Sequence, residues 1–140
     1  MISVKEALAR VISTAQVIGV ESISIHNAIG RTLAEDIYAD RSMPPFDRVT
    51  MDGICINYDN YESGQRIFPV ESIAAAGSPT VRLKDKSKCV EIMTGAPLAV
   101  SADTVIRYED LIELDGAFEI LEPIVRGKNI HTKGSDHSKG

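Results

Sequence analysis

The chain has 140 residues, 44% of them apolar and 25% charged, with a formal net charge of −5 at pH 7. That is the size of one ordinary domain or two small lobes, with enough apolar content for a core, which argues against global disorder. The acidic balance, without a basic stripe, argues against a nucleic-acid partner. No apolar run reaches about 18 residues, so no membrane partner is expected. No secretory signal opens the chain, so the expected location is cytoplasmic.

The predicted elements begin with a helix. Ser3-Val4-Lys5-Glu6 reads as a capping box. Val4, Ala7, Leu8, Val11, Ile12, Ala15 and Ile18 follow at helical spacing, and Gly19 supplies a stop. The apolar stripe of this helix must pack on something, either this chain or a partner. Ser22-Ile23-Ser24-Ile25 alternates like a half-buried strand. Asn27-Ala28-Ile29-Gly30 resembles one helical turn closed by glycine. The stretch 33–39 suits both periods, with strand preferred. Pro44-Pro45 then enforces an extended segment.

From Gly53 onward the pattern becomes short strands and turns. Strands are predicted over 53–57, 67–73, 89–93 and 103–108, with a polar loop at 60–65. Asp115-Gly116 is a hairpin signal, and 118–123 forms the return strand. The tail 126–140 is polar and punctuated by glycine. These patterns predict an α+β fold with a helical N-terminal lobe over 1–45 and a mainly β lobe over 46–140. Cys55 and Cys89 sit in strand-like apolar surroundings and read as buried, reduced thiols.

Three strings carry possible chemistry. In the first, Met43-Pro44-Pro45-Phe46-Asp47-Arg48-Val49-Thr50-Met51-Asp52-Gly53, a proline-stiffened entry holds Asp52 at one angle. Such a carboxylate can meet a ligand or a metal, although Asp before Gly is also ordinary turn chemistry. Asp47 reads as a turn or cap residue. The second, Ile92-Met93-Thr94-Gly95-Ala96-Pro97, ends an apolar strand. Its Thr94 hydroxyl and the following N–H groups could form an anion-binding concavity, or simply a turn. The third, Gly134-Ser135-Asp136-His137-Ser138-Lys139-Gly140, places Asp136 near His131 and His137, in what reads more simply as a solvated tail.

In this order and at these separations, the strings resemble the N-terminal half of the molybdopterin molybdenumtransferases, the MoeA family, whose eukaryotic relatives include the E domain of gephyrin. The opening Ser-Val-Lys-Glu-Ala-Leu-Ala, Gly30-Arg31-Thr32-Leu33-Ala34-Glu35-Asp36 and Gly127-Lys128-Asn129-Ile130 add to the likeness. The resemblance implies insertion of molybdenum from molybdate into adenylylated molybdopterin, with loss of AMP and with Mg2+ as the divalent cation. It also implies an elongated homodimer. By motif match it places catalytic roles on Asp52, Thr94 and Asp136, and substrate-binding roles on Gly53, Gly95 and Ser135; it leaves the metal ligands open. Arg48-Val49-Thr50 departs from the family's Asn-Ser-Ala, Ile54-Cys55 from its Tyr-Ala, and Ser135 from its glutamate. The family's pterin-binding and C-terminal domains are expected to lie outside these residues, which alone should be inactive. The rival reading is a free-standing dimerisation or anchoring module without catalysis.

Overall fold

The structure is a computed structural model that describes residues 2–16 and 19–140. Ile18, placed on the expected first helix, lies outside the described residues. The chain divides into two compact units, Met1–Ile37 and Tyr38–Gly140.

The first unit holds helix α1, Val4–Ser13. Ser3 Oγ accepts the Glu6 N–H at 3.2 Å, which satisfies one of the open donors of the first turn. The other half of the capping box is not made. The Glu6 carboxylate instead accepts from Arg10, one turn on, at 3.3 Å. The helix also stops earlier than its apolar spacing suggests. Ser13 Oγ donates to the Arg10 carbonyl and Thr14 Oγ1 to the Val11 carbonyl, both at 2.8 Å. These hydroxyls compete with the backbone ladder just where β-branched side chains weaken it. Leu8, Val11 and Ile12 remain 58%, 68% and 63% exposed.

The expectation of a helical N-terminal lobe is therefore overturned. Beyond α1, this unit has only a single 3-10 turn, Ile25–Asn27, among its described residues. Strands expected at 22–25 and 33–39 are absent among the described residues. Period alone misled here: short apolar segments that find no buried partner do not settle into regular structure. The fold as a whole is mostly β, with α1 and one five-residue helix.

In the second unit the strands are β1 Arg48–Val49, β2 Gly53–Ile56, β3 Ile67–Ala74, β4 Cys89–Ile92, β5 Thr104–Arg107, β6 Leu111–Leu114, β7 Ala117–Ile120 and β8 Ile130–His131. Six of them form one sheet in the order β5-β2-β4-β3-β7-β6, and β1 pairs with β8 in a separate two-stranded ribbon. Strand β3 pairs antiparallel with β7 through Ile67–Pro69 and parallel with β4 from Val70 onward, with a register shift between Val70 and Ser72. The segment expected as a polar loop at 60–65 is instead preceded and entered by helix α2, Tyr58–Glu62.

Alternation along the strands builds two cores on opposite faces of the sheet. Ile54, Ile56, Phe68, Cys89, Ile106, Phe118 and Ile120 form one. Cys55, Val90, Ile92 and Val105 join Val49, Ala74, Leu83, Ala96 and Ala99 in the other. Strand β2 is buried on both faces, which explains its unbroken apolar run Ile54-Cys55-Ile56. Cys55 and Cys89 are free and buried on opposite faces, and burial pushes each thiol up to about 12.

Gly53 opens β2 between Ile92 of β4 and Arg107 of β5. A Cβ at Gly53 would stand 1.9 Å from the Ile106 carbonyl oxygen. That oxygen belongs to the neighbouring strand's backbone and cannot swing away. Gly53→Ala should therefore cost about 3 kcal/mol or more, or prevent folding. Gly116, at φ 72° in the β6–β7 turn, has open space around its missing Cβ. Gly116→Ala should cost only about 1 kcal/mol. Denaturant unfolding of the two variants checks the difference.

Candidate functional site

The three motif strings converge through their main chains. The first runs antiparallel to the second: the Val49 N–H donates to the Ala96 carbonyl at 3.0 Å, the Gly95 N–H to the Val49 carbonyl at 2.9 Å, and the Leu98 N–H to the Asp47 carbonyl at 2.9 Å. The third string closes on the first from the other side. The Thr50 N–H donates to the Asn129 carbonyl, and Gly134 and Asp136 donate to the carbonyls of Pro44 and Met43. The Asp47 carboxylate contributes as well, accepting the Lys133 N–H at 2.8 Å. Asp47 is thus the tie between strings that are remote in sequence, a role that its turn-like context did not disclose.

Asp52 and Thr94 meet directly. Asp52 Oδ1 accepts the Thr94 N–H at 2.6 Å and the Thr94 hydroxyl at 2.7 Å. The Asp52 carbonyl accepts the Tyr108 N–H at 3.1 Å. The aspartate is therefore held by its main chain at the turn just after β5 and by its side chain at the loop after β4. The two donors stabilise the ionised form, and the Thr94 hydroxyl, followed by the Thr94 N–H, holds the carboxyl below the usual carboxylate range. Among the described residues Oδ2 takes no protein partner. The result is an exposed, ionised carboxylate with one oxygen fixed and the other open.

The loop of Thr94 uses its N–H groups internally. Thr94 donates to Asp52, Gly95 to Val49, and Ala96 to Met93. The anion-binding concavity expected at Thr94-Gly95-Ala96 is thus filled by protein acceptors. Gly95, at φ 90°, shapes this turn. Gly53 is buried, and its backbone belongs to the sheet. Ser135 is exposed, and its N–H donates to the Thr132 carbonyl at 3.1 Å.

Asp136 lies on the same woven backbone, but its carboxylate meets neither Asp52 nor Thr94. Its Oδ1 is 2.9 Å from His131 Nε2. His131 Nδ1 is in turn 3.2 Å from an Arg48 guanidinium nitrogen. His137 contributes main-chain bonds to Met43. Tyr108, beside Asp52, donates its hydroxyl to Glu91; burial, then that bond to the carboxylate, pushes the phenol upward.

The donor chemistry suits a hard cation such as Mg2+. This ion prefers oxygen ligands and usually takes one or two carboxylates, with waters and substrate phosphates completing its shell. Asp52 Oδ2 fits such a contribution. A full protein cage is absent: no group of three or more His, Cys, Asp or Glu among the described residues could hold a metal.

The Thr94–Asp52 pair makes a testable link between geometry and titration. Thr94→Val removes the hydroxyl that does most to stabilise the ionised carboxylate and should move the Asp52 titration upward, while Thr94→Ser should keep it low. Because the folded pKa is depressed, the associated stability is present above the unfolded carboxylate's value and lost as pH falls through the folded one. An NMR pH titration of the Asp52 side chain reads the shift directly.

The whole of this architecture has known counterparts. Residues 2–140 match the family profile described as "MoeA N-terminal region (domain I and II)". A molybdopterin molybdenumtransferase of Synechocystis sp. is 39% identical over 142 residues, covering 100% of this chain and 36% of that protein. One from Staphylococcus aureus is 35% identical, covering 99% of this chain and 34% of its own length. A crystal structure of a molybdopterin biosynthesis MoeA protein from Pyrococcus horikosii superposes with a TM-score of 0.75 at 32% identity, covering 99% of this chain and 37% of that one. The chain thus spans about a third of the length of the curated relatives it matches. Matched along nearly its whole length by profile, sequence and fold, the chain belongs to the MoeA N-terminal region family.

Proposed function

We propose that this chain acts in molybdenum cofactor biosynthesis as the N-terminal region of a molybdopterin molybdenumtransferase. In the proposed reaction molybdenum from molybdate enters the dithiolene of adenylylated molybdopterin, and AMP leaves. The chain supplies one wall of the site, and by itself it does not turn over. The observation that carries this reading is the Asp52–Thr94 pair: an exposed carboxylate fixed through one oxygen at the entry to β2.

Each residue has a chemical task. Asp52 offers Oδ2 as a ligand for a divalent cation. Thr94 fixes the carboxylate and keeps it ionised. Gly53 lets the strand lie close enough to set the aspartate's position, and Gly95 turns the loop that carries Thr94. Asp136 is a second carboxylate on the same scaffold. Bound Mg2+ would supply charge neutralisation between these carboxylates and anionic phosphate or molybdate oxygens. Ser135, on the exposed turn before Asp136, faces solvent where a substrate could reach it.

Two further features belong to this reading. Helix α1 exposes Leu8, Val11 and Ile12, and the same unit exposes Val20, Ile25, Ile29 and Leu33. Apolar exposure on this scale supports a homodimer. No helix among the described residues is long and apolar enough to cross a membrane.

In the complete enzyme, Asp52→Ala and Asp136→Ala should each lower turnover about a hundredfold or more with little change in melting temperature. Thr94→Ala should cost about tenfold, because its main-chain N–H still reaches Asp52. Steady-state rates beside melting curves decide this. A rate loss that tracks melting would return the aspartates to a structural role. Turnover by residues 1–140 alone at the full enzyme's rate would refute the one-wall reading. Sedimentation should show a dimer, and Leu8→Glu should shift it to monomer.

A further inference from the structure

The β1–β8 ribbon carries an ordered chain of side-chain bonds that the reading above does not use. Arg48 and His131 are register partners across the ribbon. The Arg48 guanidinium nitrogen lies 3.2 Å from His131 Nδ1. A guanidinium has only donors, so Nδ1 must accept and carries no proton. The proton of the neutral ring then sits on Nε2, and Nε2 is 2.9 Å from Asp136 Oδ1. Every step from Arg48 through His131 to Asp136 sets a donor against an acceptor.

The opposite tautomer breaks both bonds. It would set N–H against N–H at Arg48 and a lone pair against the carboxylate at Asp136. Two contacts on opposite sides of the ring therefore select the same proton position. The ring is 30% exposed, so neighbouring atoms cover most of it. The backbone on either side is also fixed. Ile130 pairs with Val49, the Lys133 N–H donates to Asp47 Oδ1, and the Asp136 N–H donates to the Met43 carbonyl.

We infer that His131 is a positioning residue: held by Arg48 with its proton on Nε2, it binds Asp136 Oδ1 and leaves Oδ2 to face a cation or substrate. Asp136 is then arranged as Asp52 is, with one oxygen fixed and the other open, but by an imidazole in place of a threonine. The inference rests on the reading of Asp136 as a site residue.

The first test needs no activity. Long-range proton–nitrogen NMR correlations of the 15N-labelled chain, above the ordinary titration range of imidazole, report the tautomer of His131. The neutral ring should carry its proton on Nε2. Arg48→Ala should give a tautomer mixture, and Arg48→Lys, which keeps a donor, should retain the preference. A wild-type ring protonated on Nδ1, or an unchanged ring in Arg48→Ala, would overturn the inference.

The second test is turnover in the complete enzyme. His131→Phe should lose about tenfold, the scale usual for partners that orient a ligand-bearing group. His131→Gln, whose amide can still donate to Asp136, should recover most of that loss at an equal melting temperature. Equal losses in both variants, or none in His131→Phe, would overturn the inference. Normal turnover of Asp136→Ala would sink the site reading of Asp136 and the role of His131 with it. A large loss at Asp136 with no effect at His131 overturns only the present inference.

Discussion

The absence of a side chain at Gly53 governs how β2 meets β5. A single carbon there would collide with the Ile106 carbonyl oxygen. With that carbon missing, β2 lies flush between β4 and β5, and the chain enters the sheet at a fixed height. Asp52, one residue earlier, is then set at the sheet's edge beside the turn that follows β4. The bond from the Tyr108 N–H to the Asp52 carbonyl completes the alignment. The carboxylate owes its position to close packing two strands deep, and not to the loop that carries it.

The rest of the site follows from that entry. With Asp52 fixed, Thr94 can reach it through both of its donors. Val49, three residues before Asp52, is fully buried and bonds to the turn of Gly95 and Ala96. The first string is thus apolar at Val49 and polar at Asp47 and Asp52. The buried residue holds the segment in place while the acidic ones bind neighbouring loops. Here the core and the chemistry are separated by only two or three residues.

Much of the β unit was legible in the sequence. The strand predictions over 53–57, 89–93 and 103–108 fall on β2, β4 and β5, because short apolar runs bounded by polar turns leave few alternatives. The Asp115-Gly116 signal lies at the turn between β6 and β7. The first unit was misread. Helical spacing at Val4, Leu8, Val11 and Ile12 was real, but Ser13 and Thr14 end the helix with their own hydroxyls. In the site, Asp52 and Thr94 stood out through the glycines beside them. His131 and Asp136 were near enough in sequence to be read together, but the partnership of Arg48 with His131 did not stand out, because it is made by strand pairing across 83 residues and leaves no local pattern. Asp47, joined to Lys133 across 86 residues, was hidden for the same reason.

The ribbon of β1 and β8 also fixes the order in which this region can assemble. Hairpin β6–β7 closes a two-residue turn and can form early. Residues 129–137 must wait, because their main-chain partners lie largely at 43–50, almost the whole length of the β unit away. Closing so long a loop has an entropic cost that only an existing sheet can offset. The Asp47–Lys133 tie and Asp136 therefore come into place last, after Asp52, which the sheet itself positions. A partly folded chain with its sheet in place already holds Asp52 but leaves Asp136 unplaced, so the two carboxylates share one scaffold only when the fold is complete.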